Sequence, residues 1–165
     1  MDQPIEFTLV RHGETVANIA GILQGQIESD LNDLGVQQAR AAAAALRHAH
    51  FDACYSSDLK RAMDTARIIL AEGHAGIEVQ SERGLREWDL GELEGRRMTE
   101  LHRLYPELMR GFVVDTGEQT APGGESRSQF QERVRQTLER LAARHRGGEK
   151  ILLTTHGGTL QMILR

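Results

Sequence analysis

An apolar, β-prone run, Ile5 to Val10, stops abruptly at Arg11 and His12 and then at Gly13. A run of this kind reads as a buried strand whose C-terminal end delivers two polar side chains, and open α/β sheets place their ligands at that edge. Neutral imidazole is a nucleophile near pH 7, and guanidinium is the preferred partner of a dianionic phosphate. A glycine directly after them lets the backbone approach an anion closely. Taken alone, the stretch also fits a strand that simply ends in surface charges; the rest of the chain decides between the two.

Strands and helices alternate from there on. A helix is predicted from about Asp33 to His48, and Phe51 to Ser56 reads as a second strand. Ser57 is placed to N-cap a helix reaching about Glu72, whose apolar positions Leu59, Ala62, Met63, Ala66, Ile69 and Leu70 share one face. Gly76 to Gln80 is a short third strand, and a helix from about Arg96 to Tyr105 is interrupted by Pro106. Val113 to Glu125 reads as loop. Ser126 with Gln129 forms a capping box for a helix to about His145, ended by Gly147 and Gly148. Lys150 to Thr155 is the fourth strand, followed by His156-Gly157-Gly158 and the start of a helix. This alternation predicts an α/β three-layer sandwich, a mostly parallel central sheet with helices on both faces. With no repeat or linker in its 165 residues, the chain is read as a single domain over 1–165.

Two strands end alike, one in Arg11-His12-Gly13 and one in His156-Gly157-Gly158. A parallel sheet puts all C-terminal ends on one edge, so these groups meet there. The second strand ends there too and opens a helix with Lys60 and Arg61 in its first turn, a good phosphate site. Glu87 lies in a loop beside Trp88, the only tryptophan. A carboxyl group near an apolar ring and anions has a raised pKa, suited to protonating a leaving oxygen; in isolation Glu87 reads equally as a solvated loop charge.

The stretch Leu9-Val10-Arg11-His12-Gly13-Glu14-Thr15 resembles the signature of the histidine phosphatase superfamily, in its phosphoglycerate-mutase-like branch and of the broad phosphatase type. The resemblance continues through Asn18, Gln24-Gly25, Ser56-Ser57-Asp58-Leu59-Lys60-Arg61, Leu85-Arg86-Glu87, Gly91 to Gly95, Pro122 to Ser126 and Thr155 to Gly158, nearly the whole chain in the family's order. It implies that His12 accepts the phosphoryl group, that Arg11, Arg61 and His156 bind its oxygens with the Gly157 N–H, and that Asn18, Gln24 and Gly25 add contacts. Glu87 is then the proton donor to the leaving group. Fixed positive charge around the phosphoryl oxygens is the main requirement of such a transfer, so no metal and no cofactor is expected. Family members usually continue past the second histidine motif with a complete helix and a further strand or tail; here Gly157 to Arg165 follow, about two helical turns.

The implied activity is a phosphomonoesterase acting on a small phosphorylated metabolite through a phosphohistidine. A phosphoglycerate-type mutase is the main alternative, and a non-catalytic phosphate-binding regulatory domain is a third. Mutases resembling this family carry a longer insertion after the acid, with basic and tyrosine residues; here 35 residues lie between Glu87 and Gly123, which favours hydrolysis. The dead-domain reading requires a lost core residue, and the set is complete.

Composition narrows the partners. A net charge of −4 argues against nucleic-acid or membrane-surface binding, and 4% aromatic residues provide no base-stacking platform. A small-molecule phosphomonoester is therefore the expected partner, and the sequence is compatible with a homodimer. The single cysteine, Cys54, is expected to be a small buried apolar residue, and it implies a reducing, cytoplasmic setting. Met1-Asp2-Gln3-Pro4 has neither part of a secretory signal. His48, His50 and Asp52 read as exposed residues at a helix end rather than a metal site, and His74, His102 and His145 likewise. Arg96 and Arg97 fit equally a substrate-steering pair and a solvated helix start.

Overall fold

The computed structural model describes residues 3–113 and 120–165; the start at Met1-Asp2 and the centre of the expected 113–125 loop lie outside them. Four strands, β1 (Glu6–Arg11), β2 (Ala53–Ser56), β3 (Val79–Ser81) and β4 (Lys150–Thr155), pair in parallel in the order β1–β4–β2–β3. The helices are α1 (Val16–Ile19), α2 (Asp33–Leu46), α3 (Lys60–Leu70), α4 (Met98–Leu104), α5 (Pro106–Val113), α6 (Arg127–Ala142) and α7 (Gly157–Ile163).

The strands' period-2 alternation builds the layers. Cys54 and Leu152 point to one face, where Ala43 of α2 and Ala66, Ile69 and Leu70 of α3 pack. Ala53, Tyr55, Ile151 and Leu153 point to the other, against Leu141 of α6. The expected three-layer α/β sandwich is what forms. Cys54 is fully buried, and burial pushes its thiol pKa up to about 12, as befits an inert apolar residue. A third cluster, around Trp88, Leu93, Leu101, Met109 and Phe130, lies away from the sheet.

The capping box of α6 is as expected: Ser126 accepts from Gln129 N, and the Gln129 side chain from Ser126 N. Elsewhere the boundaries differ for identifiable reasons. Gly76 has φ of +90°, in the left-handed region that strands avoid, so β3 begins only at Val79. Pro106 ends α4 and also opens α5, since a proline lacking its N–H is tolerated in a first helical turn. Helix α3 starts at Lys60 with Leu59 at its N-cap, and Ser57 Oγ, which meets His156 Nε2, accepts from Leu59 N rather than capping the helix. The short α1, closed by a Thr15–Asn18 capping box, was not expected at all.

Candidate active site

The parallel ladder continues one residue past the strands. His12 N donates to Thr155 O at 3.0 Å, and Ser57 N donates to Thr154 O at 3.0 Å. The register that pairs Arg11 with Thr155 and Ser56 with Thr154 thus sets His12, His156 and Ser57 side by side on the expected edge. The two imidazoles stand edge to face with ring centroids 5.0 Å apart.

His12 Nδ1 lies 2.7 Å from its neighbour's carbonyl, Gly13 O. A carbonyl only accepts, so Nδ1 carries the proton and Nε2 keeps its lone pair. Burial foremost, then the charges of Arg61 and Arg11, pulls the His12 pKa from 6.5 to about 4, against the opposing effect of the Gly13 carbonyl. The ring is therefore neutral near pH 7. Gly13 itself has a different task from the one expected. Its N–H is taken by Thr65 Oγ1, and a Cβ on it would stand 2.3 Å from Gly35 O, so it is glycine because α2 packs on its backbone.

His156 is fully buried, and burial again holds its pKa well below 6.5. Its Nε2 meets Ser57 Oγ at 2.7 Å, while Ser57 Oγ accepts from Leu59 N. A Ser57 hydroxyl that donates to Nε2 leaves the His156 proton on Nδ1, the tautomer that offers a donor to a phosphoryl oxygen. That Nδ1 is buried and has no partner. Arg61 is 1% exposed and donates to Gly25 O and Ile27 O, both at 2.7 Å, yet its Nε is also buried and unpartnered. No carboxylate bonds to this guanidinium among the described residues. Gly25 must be glycine: its φ is +52° and a Cβ would stand 2.1 Å from Glu94 Oε1.

Arg11 is exposed and lines the same cavity as His12, Arg61, Asn18 and Gln24. Its guanidinium lies so close to Gly157 that a Cβ there would be 3.2 Å from Cζ. Thr15 orients both amides: its N–H donates to Asn18 Oδ1 at 3.0 Å, and its hydroxyl lies 3.0 Å from Gln24 Oε1. With the oxygens held, the NH₂ ends are the donors left for the cavity.

Glu87 is at the same cavity, but its surroundings differ from the expected apolar pocket. The Trp88 ring is engaged elsewhere, stacked on Phe130 at 5.3 Å and edge-on to Phe112 at 4.9 Å. The carboxylate instead receives backbone N–H groups: Oε1 from Trp88 (2.9 Å) and Thr159 (3.1 Å), Oε2 from Gly158 (2.8 Å). It supplies the acceptor that α7 lacks at its N-terminus, where His156 makes no side-chain cap.

A model of the histidine phosphatase superfamily (branch 1) matches residues 7–165. The chain belongs to the histidine phosphatase superfamily. It is 43% identical over 160 residues to a metal-independent phosphoserine phosphatase of Arabidopsis thaliana, covering 96% of this chain and 66% of that protein. It is 34% identical to a 2,3-bisphosphoglycerate-dependent phosphoglycerate mutase of Allorhizobium ampelinum, over 94% of this chain and 76% of the mutase. The fold is similar to the crystal structure of the alpha-ribazole phosphatase from Shigella flexneri, with a TM-score of 0.84, 30% identity, and 96% and 77% of the two chains covered.

Beyond the residues the family resemblance pointed to, this histidine phosphatase domain has a supporting set that sequence reading missed. Arg133 of α6 donates to Gly84 O, Arg86 O and Glu87 O and pairs with Glu125, so one side chain grips the loop carrying Glu87. Thr155 and Thr159 hydroxyls donate to Leu85 O and Arg86 O. Arg86 pairs with both oxygens of Asp58 at 2.7 and 2.8 Å, tying that loop to the start of α3. Lys60, by contrast, is an exposed partner of Asp30 and Asp64.

His48 and His50 are exposed as expected, with His50 paired to Asp52. Of the other three histidines, His102 is an exposed residue in the last turn of α4, as expected, and the other two are not. His74 is buried against Phe51, His145 bridges Tyr55 OH and Glu149, and His102 lines the active cavity. Arg96 and Arg97 do not line that cavity; their backbones pair with Leu23 and Ile22. Among the described residues, no group of three or more His, Cys, Asp or Glu is placed to hold a metal, and no helix is long and apolar enough to cross a membrane.

Proposed function

We propose that the chain is a metal-independent phosphomonoesterase acting on a small phosphorylated metabolite through a phosphohistidine at His12. One observation carries this reading: a buried Arg61 Nε and a buried His156 Nδ1, both without partners, sit beside an imidazole whose Nε2 is left unprotonated. Leaving such donors unsatisfied costs about 1–3 kcal/mol each, more for a charged group, and phosphoryl oxygens would satisfy them. Arg11, Asn18 and Gln24 add donors from the cavity wall, with the Gly25 backbone alongside, and the Gly157 N–H is assigned to the set from its place against the Arg11 guanidinium.

His12 Nε2 attacks phosphorus as the bond from phosphorus to the ester oxygen breaks. Glu87 protonates that oxygen. Oε1 already receives two N–H groups and Oε2 one, which leaves an Oε2 lone pair to hold the transferable proton. In the second half, Glu87 takes a proton from water as the water oxygen attacks phosphorus, and the P–N bond breaks to release phosphate. Positive charge for the transfer comes from the chain's own arginines.

Further readings go with this one. The sheet pairs β1 with β4, which supports one domain over 1–165. The net charge of −4 supports a partner that is neither nucleic acid nor a membrane surface, and one buried cysteine supports a cytoplasmic setting.

Assay of released phosphate from a panel of phosphomonoesters, with a chelator present and a parallel phosphoglycerate-isomerisation assay, tests the function. Hydrolysis that survives the chelator and vanishes in His12→Ala is expected. Isomerisation without phosphate release would make the chain a mutase, and metal-reversible loss with the chelator would refute metal independence.

A further inference from the structure

The cavity that ends at His12 changes character along its length. Around His12 it carries Arg11, Asn18, Gln24, Arg61 and Glu87, a polar set. Beyond them the wall is Ile22, Leu23, Leu90, Met98, Met109 and Phe112. Most of that wall is the margin of the off-sheet cluster packed around Trp88, so it is backed by core and does not swing away. The indole nitrogen of Trp88 is occupied by Glu125 O at 2.9 Å, and the ring contributes apolar surface only.

Among the described residues, one ionisable side chain lines this outer part, His102, and its Nδ1 is already committed to Met98 O at 2.7 Å. Among the described residues no lysine lines the cavity and its two arginines both stand in the polar set around His12; Arg127, 5.2 Å over the Trp88 ring, donates to Gly111 O and is not part of the lining. The chain's residues 114–119, Val-Asp-Thr-Gly-Glu-Gln, include no cation. A phosphoryl dianion therefore takes both guanidinium groups, and a second anionic group on the substrate would lie against methionine and phenylalanine with its charge desolvated and unpaired.

Resting on the phosphomonoesterase reading above, we infer that the alcohol part of the substrate is apolar, an alkyl or aryl group without a second anionic substituent. The cavity volume of about 380 Å³ lies at the small end of the roughly 300–1,000 Å³ usual for ligand pockets, enough for a phosphoryl group and a body about the size of one ring. Phosphoserine and phosphoglycerates, which the names of the relatives at 43% and 34% identity bring to mind, are then poor substrates for this chain.

The test compares kcat/KM for esters of primary alcohols, so that the leaving oxygen is chemically similar throughout. 3-Phenylpropyl phosphate and hexyl phosphate form the apolar arm; O-phosphoserine, glycerol 3-phosphate and 3-phosphoglycerate form the polar and anionic arm. The apolar esters are expected to exceed the anionic ones by about tenfold or more, chiefly through lower KM, the scale set by a few buried methylenes. Phe112→Arg, a change at a half-buried position of the outer wall, should narrow that ratio by about tenfold by giving a carboxylate a partner. The wild-type panel stands alone if the variant does not fold. Equal or faster turnover of phosphoserine or 3-phosphoglycerate by the wild type overturns the inference while leaving the phosphomonoesterase reading intact. Turnover of no ester, with no labelling of His12, overturns that reading and the inference with it.

Discussion

In the proposed mechanism His12 is the nucleophile, and what holds its other nitrogen prepares it for that role. The Gly13 carbonyl takes the Nδ1 proton, and burial keeps the ring neutral down to a pKa of about 4. Two pH effects follow, with definite signs. Once the substrate's own ionisation is divided out, the acid limb of kcat/KM set by His12 falls near pH 4 rather than near 6.5. For stability, the folded pKa lies below the unfolded one, so between pH 6.5 and about 4 the unfolded chain binds a proton that the folded chain does not. Stability therefore falls as pH drops through that window. Between about pH 7.5 and pH 5 this costs roughly 2 kcal/mol from His12 alone, with His156 acting in the same direction. Urea unfolding at the two pH values checks it, and His12→Gln should recover part of the loss. Ser57 acts on the same scale through the His156 tautomer. Ser57→Ala should lower kcat by roughly tenfold or more while altering KM less, as for loss of an aligned donor in the transition state. Steady-state kinetics on a folded variant decides; an unchanged kcat would remove Ser57 from the positioning set.

At the scale of elements, α7 and the Glu87 loop hold each other. A Cβ on Gly158 would meet Glu87 Oε1 at 2.4 Å, and one on Gly157 would meet Arg11 at 3.2–3.5 Å. In both cases the neighbour is a side-chain end that can move, so the fold should tolerate either alanine within about 1–3 kcal/mol. Activity separates them: Gly158→Ala displaces Glu87, the proposed proton donor, and should harm alkyl phosphates most, whereas Gly157→Ala nudges Arg11, one of several proposed phosphate ligands. Glu87→Gln provides the reference, slowing alkyl phosphates far more than an aryl phosphate whose phenolate leaves without a proton. Equal losses on both ester types would make Glu87 a positioning residue. The sequence showed that Glu87 sits in a loop near Trp88, but not that Gly158 and Thr159 would be its neighbours, because that contact depends on α7 docking against the 85–87 loop. Arg133 was equally invisible: on a charge-rich helix it reads as one more solvated arginine, and only packing turns it onto three loop carbonyls.

At the scale of the molecule, what was legible were features that repeat or end. The strands were readable from apolar runs, α6 from its capping box, and the inventory of the active edge from two strands ending alike. Strand order was not readable, since nothing local says that β4, last in sequence, lies between β1 and β2. That insertion is what makes His12 and His156 neighbours 5.0 Å apart, and it is why the chemistry depends on the whole sheet rather than on one motif. Rapid quenching of the enzyme with a ³²P-labelled phosphomonoester under alkaline conditions, followed by peptide mapping, tests the central claim most directly. The account predicts one acid-labile, alkali-stable phosphoryl group on the peptide carrying His12, absent from His12→Ala. An acid-stable label, or one on any other peptide, would contradict it.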